Sequence, residues 1–228
     1  LFIAGIGAGG RVAIVMSNQW SWLAAAYAAL FRGAILVPLD FKLEGDEVEV
    51  LLAHAEPKVL VTEYGEWRDM AKVAKNELDL EVLLGDAPRD EALPNKQMPA
   101  RHTRLETVME DAALDGKAHF VPRQREDQAT LVYSSGTGGK PKGCMLTHDN
   151  YLEQYRVLAE RYPVEPGDRY FSILPTNHAI DFMCGFLIPF GSGAAVVHQR
   201  SLRPEFLRHV LQNGGITAMS VVPLLLEA

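Results

Sequence analysis

The sequence predicts an α/β fold of layered, mostly parallel sheets flanked by helices. Short β-branched runs alternate with helical patterns along nearly the whole chain, and strands separated by helices pair in parallel. The 228 residues are 48% hydrophobic and 22% charged, enough to build a sizeable core for one large domain or two small ones. No fixed-period repeat or low-complexity tract breaks the rhythm.

The first strand is read over residues 11–16, RVAIVM. Ser17 or Asn18 is placed to cap the helix WSWLAAAYAALF, which Gly33 ends. AILVP is the next strand. A helix over DEVEVLLAHA puts Val48, Leu51, Leu52 and Ala55 on one face, and Pro57 stops it. KVLVT is a strand, Trp67, Met70, Ala71 and Ala74 mark a further helix, and EVLL follows as a strand. From Gly85 to about His102, Pro88, Pro94 and Pro99 lie among charges and read as a loop or boundary. VPRQREDQ is a second polar connector, and a sub-boundary is expected within residues 113–128. Residues 129–133 then form a strand. A helix starts near His148 with Tyr151, Tyr155, Leu158 and Tyr162 on its apolar face. RYFSIL, AAVVH and ITAMSVV are later strands, with helices over AIDFMCGFLIPF and PEFLRHVL between them.

Twenty-two basic against 29 acidic side chains give a net charge of −7, which argues against a nucleic-acid partner. Cys144 and Cys184 form no CxxC pair, so a disulfide scaffold or zinc site is not expected. Both read as small buried hydrophobes in a cytoplasmic protein. The most membrane-like run, residues 179–198, contains Asp181, Pro189, Gly191 and Gly193 and reads as a buried helix and strand, not a transmembrane segment. The opening LFIAGIGAGG lacks the basic region of a secretory signal. A first residue other than Met and an end at LLLEA suggest a piece of a longer chain. Trp20 and Trp22 both read as packing residues.

Two glycine-rich stretches compete as anion sites. Gly5, Gly7 and Gly10 match G-x-G-x-x-G, but that fingerprint needs a strand before it and a helix after it, and here the strand follows. The stretch SSGTGGKPKG, Ser134 to Gly143, does follow an apolar strand, so it leaves from a carboxyl end, where open α/β sheets bind ligands. Its glycines let backbone N–H groups converge on an anion. Ser134, Ser135 and Thr137 add neutral donors, and Lys140 and Lys142 add charge. It is not a Walker A loop: serine occupies 134 where that pattern needs glycine, and Pro141 follows Lys140.

The stretch LVYSSGTGGKPKGCMLTH resembles the signature loop of the adenylate-forming (AMP-binding) superfamily, and most of all that of acyl-CoA synthetases and fatty-acid–CoA ligases. Ser134, Ser135, Gly136, Thr137, Gly139, Pro141, Lys142, Gly143, Thr147 and His148 match the pattern, while Gly138 stands where a second threonine is usual. Three further segments are similar in the family's order: RVAIVMSNQWSWLAAAYAALFRGAILVPLD, ILPTNHAIDFMCGFLIPFGSGAAVV and ITAMSVVPLLLEA.

The resemblance implies the N-terminal part of an AMP-binding domain over residues 1–228, with the C-terminal domain absent. It also implies an enzyme that joins a carboxylic acid to ATP, with Mg²⁺, as acyl-AMP and passes the acyl group to CoA. The phosphates would be held by Ser134, Ser135, Gly136, Thr137, Gly138, Gly139, Lys140 and Lys142. Preorganised donors there would stabilise charge building on the departing pyrophosphate. His178 falls on a family histidine near the acyl substrate, whereas His148 reads as structural, just inside a helix capped by Thr147. No catalytic residue or metal ligand is expected among these residues, because the family's later motifs lie downstream. The piece alone is expected to be inactive. The apolar run from Phe182 to Phe190 favours a hydrophobic acid. Gly138 leaves open a non-catalytic homologue that binds nucleotide or acyl ligand.

Overall fold

The computed structural model describes residues 6–73, 79–87, 101–115, 120–134 and 141–223. The chain divides into two compact units, Leu1–Met16 with Ala24–His148, and Ser17–Leu23 with Asp149–Ala228. Residues 113–128 fall inside the first.

In chain order the first elements are β1 (Arg11–Val15), α1 (Trp20–Phe31), β2 (Ile35–Leu39), α2 (Gly45–Ala55), β3 (Val59–Glu63) and α3 (Tyr64–Val73). There follow β4 (Glu81–Gly85), β5 (Arg101–Arg104), α4 (Leu105–Asp115), β6 (Gln128–Ser134) and β7 (Lys142–Thr147). The seven strands form one sheet in the order β5-β4-β3-β1-β2-β6-β7. Pairing is parallel except between β6 and β7, which are antiparallel. The central strands are apolar on both faces, as parallel strands covered by helices must be; all five residues of β2 are buried. Val37, Leu52, Leu60, Trp67, Leu84 and Leu131 belong to one core cluster.

Most elements arise where the sequence places them. Val48, Leu51, Leu52 and Ala55 of α2 are all buried. A capping box starts this helix, with the Glu44 N–H donating to Glu47 Oε2 at 3.0 Å. Glu56 ends it in a left-handed conformation. Gly33 closes α1 at φ +68°, where a side chain would also meet Arg123 Cδ at 2.8 Å. Trp67, Met70 and Ala71 are buried in α3, and Ala74 lies outside the described residues.

The second unit carries α5 (His148–Arg161) from Asp149 onward, β8 (Arg169–Ser172), α6 (Ala179–Asp181), a π-helical turn (Phe182–Leu187), α7 (Ile188–Ser192), β9 (Ala195–His198), α8 (Pro204–Asn213) and β10 (Ala218–Met219). Its three strands pair in parallel in the order β10-β8-β9. Trp22 packs edge-on against Phe182 and Phe186, with centroids 6.1 and 6.2 Å away.

Several expectations need correction. β5, α4 and β7 occupy segments read as loop, connector or unassigned. ITAMSVV supplies only the two-residue β10. Asn18 does not cap α1, because its amide bonds to distant backbone and hydroxyl groups instead. Trp20 is 60% exposed, so only Trp22 of the pair is a core residue. Tyr162 lies beyond the end of α5 and is 71% exposed. Cys144 is exposed on the edge strand β7 and Cys184 is only partly buried, so neither is a fully buried hydrophobe.

Candidate functional site

The glycine-rich loop leaves the seven-stranded sheet through an antiparallel hairpin. Along β6, Ala129, Thr130 and Leu131 are buried, Val132 and Tyr133 are half-buried, and Ser134 is exposed, so the strand emerges from the core as it reaches the loop. β7 returns with Lys142 opposite Ser134, Gly143 opposite Tyr133 and Cys144 opposite Val132. A bulge between Gln128 and Thr130 shifts the register near the base. The two ends of the loop are therefore paired residues, with the exposed Ser134 hydroxyl and Lys142 ammonium on neighbouring strand ends. Ser135, Gly136, Thr137, Gly138, Gly139 and Lys140 lie outside the described residues.

His178 belongs to the second unit and is exposed, in extended backbone immediately before α6. Its N–H donates to Pro175 O at 3.0 Å and its carbonyl accepts from the Phe182 N–H at 2.9 Å, which fixes the entry into the helix. His148 sits in the first unit, where its N–H donates to Asp127 O at 3.1 Å. Burial and the nearby Arg123 charge hold its imidazole below the usual range, as befits a packed neutral ring.

Two groupings escaped the sequence reading. One is the contact of His54 on α2 with Tyr133, the residue just before Ser134: His54 Nδ1 and the Tyr133 hydroxyl lie 2.6 Å apart. The other surrounds Asp181, which is fully buried one turn after His178. Asp181 Oδ2 accepts from Ser172 Oγ at 2.7 Å and from Thr176 Oγ1 at 3.0 Å, while Oδ1 has no hydrogen-bond partner among the described residues. The Asn18 amide donates to Ser172 Oγ at 3.1 Å and to Leu174 O at 2.5 Å, and its carbonyl accepts from the Thr176 N–H at 3.0 Å. Burial pushes the Asp181 carboxyl up to about 6, against the two hydroxyl bonds that favour its charged form. A charged residue inside an apolar helix was the available signal for this cluster.

Among the described residues no group of three His, Cys, Asp or Glu side chains is placed to hold a metal ion, and no helix is long and apolar enough to cross a membrane.

A family model described as AMP-binding enzyme matches residues 1–228. A probable acyl-activating enzyme 16, chloroplastic, of Arabidopsis thaliana is 27% identical over 238 residues, covering 100% of this chain and 32% of that protein. The long-chain-fatty-acid–CoA ligase FadD15 of Mycobacterium bovis is 29% identical over 184 residues, 79% of this chain and 29% of the ligase. The chain thus spans about a third of the length of these relatives. Among solved structures, ATP-bound MatB from Rhodopseudomonas palustris aligns with a TM-score of 0.77 at 22% identity, over 99% of this chain and 41% of that one. The N-terminal domain of FACL13 from Mycobacterium tuberculosis aligns with a TM-score of 0.76 at 19% identity, over 100% and 53%. Both likenesses show a shared α/β fold.

Proposed function

We propose, because this chain belongs to the family of AMP-binding enzymes, that its parent protein activates a carboxylic acid with ATP and transfers the acyl group to the thiol of CoA. The observation that carries this reading is the hairpin stem, which sets Ser134 opposite Lys142 at the mouth of a loop rich in glycine, hydroxyls and lysine. The donor set suits a polyphosphate: one hydroxyl and one ammonium at the stem, with Ser135, Thr137, Lys140 and the glycine N–H groups between them. In the first step a carboxylate oxygen attacks the α-phosphorus, forming acyl-AMP as the bond to pyrophosphate breaks. Donors fixed around the leaving pyrophosphate stabilise the charge it gains. The thiol then attacks the acyl carbonyl, giving the thioester and AMP. Magnesium enters this reading as part of the nucleotide substrate, carried on its phosphate oxygens.

His178 takes the acyl side in this scheme as a substrate-region residue, followed by the apolar segment from Phe182 to Phe190 that favours a hydrophobic acid. Two free cysteines are consistent with a reducing, cytoplasmic setting.

The test is carboxylate-dependent ATP–pyrophosphate exchange by the full-length parent across short, long and aromatic acids. Exchange with at least one acid supports the reading, and purified residues 1–228 are expected to give none. A parent that binds ATP but shows no exchange with any acid would be a non-catalytic homologue, the alternative that glycine at 138 leaves open.

A further inference from the structure

We propose that His54 is a positioning residue for the 134–143 loop, clamping Tyr133 and Gly143 so that the hairpin stem holds the two loop ends in register. The proposal rests on the phosphate-binding reading of that loop.

The clamp is built outward from β1. Arg11, the first residue of β1, donates through Nη1 to Ala55 O at 2.7 Å and so fastens the last turn of α2 to the sheet. The left-handed Glu56 completes that end, its N–H donating to Leu52 O at 2.9 Å. His54 projects from this fixed turn. Its Nδ1 lies 2.6 Å from the Tyr133 hydroxyl, and the two rings meet edge to face with centroids 5.6 Å apart and planes at 75°. Either the phenol or an Nδ1–H can donate across this contact.

Gly143 is the third member. It pairs with Tyr133 across the hairpin, and a methyl group on it would meet Leu131 Cδ1 at 3.0 Å, Tyr133 Cε1 at 3.5 Å and His54 Cε1 at 3.6 Å. The tight neighbour is Leu131, while both rings stand at ordinary van der Waals distance, so Gly143 lies beside the Tyr133–His54 pair. The next pair outward is Ser134 with Lys142, the loop's own ends. β7 is the last strand of its sheet and is held through β6, and its first four residues are exposed, so it carries little apolar packing of its own. Glycine-rich segments lose more conformational freedom than others when held in one shape. Fixing the loop's stem beforehand lowers that loss, which is preorganisation of a binding loop.

Hydrogen exchange followed by mass spectrometry tests this on the full-length protein, using His54→Ala, Tyr133→Phe and the double variant. Each single change is expected to speed exchange across residues 141–144 by about two- to twelve-fold, the range for one neutral hydrogen bond. The double variant should fall short of the product of the two singles, because both remove the His54–Tyr133 hydrogen bond. Residues 59–63 of β3 should keep their protection, and His54→Gln, which retains a donor and an acceptor, should restore the stem. In turnover, KM for ATP should rise by a similar factor while KM for the acid stays put. Unchanged exchange at 141–144, additive singles, or equal loosening of β3 would overturn the clamp. Wild-type protein without ATP–pyrophosphate exchange, but with 141–144 loosened in His54→Ala, would overturn the enzymatic reading and leave the clamp standing.

Discussion

Ser172 Oγ donates a 2.7 Å hydrogen bond to Asp181 Oδ2 inside the second unit, where both residues are fully buried. Thr176 adds a second bond to the same oxygen, and Tyr170 and Cys184 face the carboxyl electrostatically, each pushed up chiefly by burial. The Asp181 carboxyl holds its proton up to about 6, against an ordinary value of 3.8. Between those two values the folded chain binds more protons than the unfolded one, so stability falls as pH rises through that window. The full span corresponds to about 3 kcal/mol. Asp181→Asn, neutral at every pH, is expected to flatten this slope. Denaturant curves of both proteins at about pH 4 and about pH 7 measure it; parallel pH dependence in the two would sink the assignment.

Gly185 is tied to the same carboxylate. A Cβ there would fall 2.6 Å from both Asp181 oxygens. Glycine to alanine inside an exposed helix normally stabilises by about 1 kcal/mol. Here Gly185→Ala is expected to destabilise by about 1–3 kcal/mol through overpacking. The penalty should shrink when Asp181→Ala removes the carboxylate, so a double-mutant cycle should show strong coupling. Independent effects would mean the helix relaxes without regard to Asp181.

The two neighbouring tryptophans should separate cleanly. Trp22 is 1% exposed between Phe182 and Phe186, so Trp22→Ala is expected to cost about 3–5 kcal/mol. Trp20 is 60% exposed, and Trp20→Ala should stay within about 0.5 kcal/mol of wild type. Thermal melts of the two variants decide this, and similar losses in both would contradict the packing.

What the sequence reveals, and what it hides, follows from how each element is held. The central strands and α2 carry their burial in side-chain type, so the runs around Val37 and the i, i+3, i+4 face of Val48, Leu51, Leu52 and Ala55 are plain in the sequence. β5, with the residues Arg-His-Thr-Arg, and the exposed β7 are sheet edges whose pairing rests on backbone hydrogen bonds, so no apolar alternation announces them. Asn18 looks like a local cap because a sequence displays only neighbours, whereas its amide partners lie more than 150 residues away. The loop's glycines, hydroxyls and lysines are plain in the sequence, but the His54–Tyr133 contact spans 79 residues and uses residue types common on any surface. Asp181 is visible as an anomaly in an apolar helix, though its hydroxyl partners come from the fold.

The loop itself gives the last prediction, and it begins with Lys142. This residue is exposed and paired with Ser134, so its ammonium stands at the mouth of the loop without a burial role. In the proposed reaction it contacts a phosphate oxygen, a charge-assisted bond of about 1.5–3 kcal/mol. Lys142→Ala should therefore lower kcat/KM for ATP by about ten- to 150-fold, with the melting temperature nearly unchanged. Lys142→Arg keeps the charge but not the compact ammonium and should recover only part of the loss. Gly138→Thr runs the other way, since it adds a hydroxyl donor and stiffens the free loop, and it should raise the same ratio. ATP–pyrophosphate exchange at subsaturating ATP reads all three variants on the full-length protein. A Lys142→Ala enzyme with wild-type kcat/KM would place the phosphates elsewhere. If Gly138→Thr slowed exchange, the glycine would be serving the loop's shape and not merely lacking a donor.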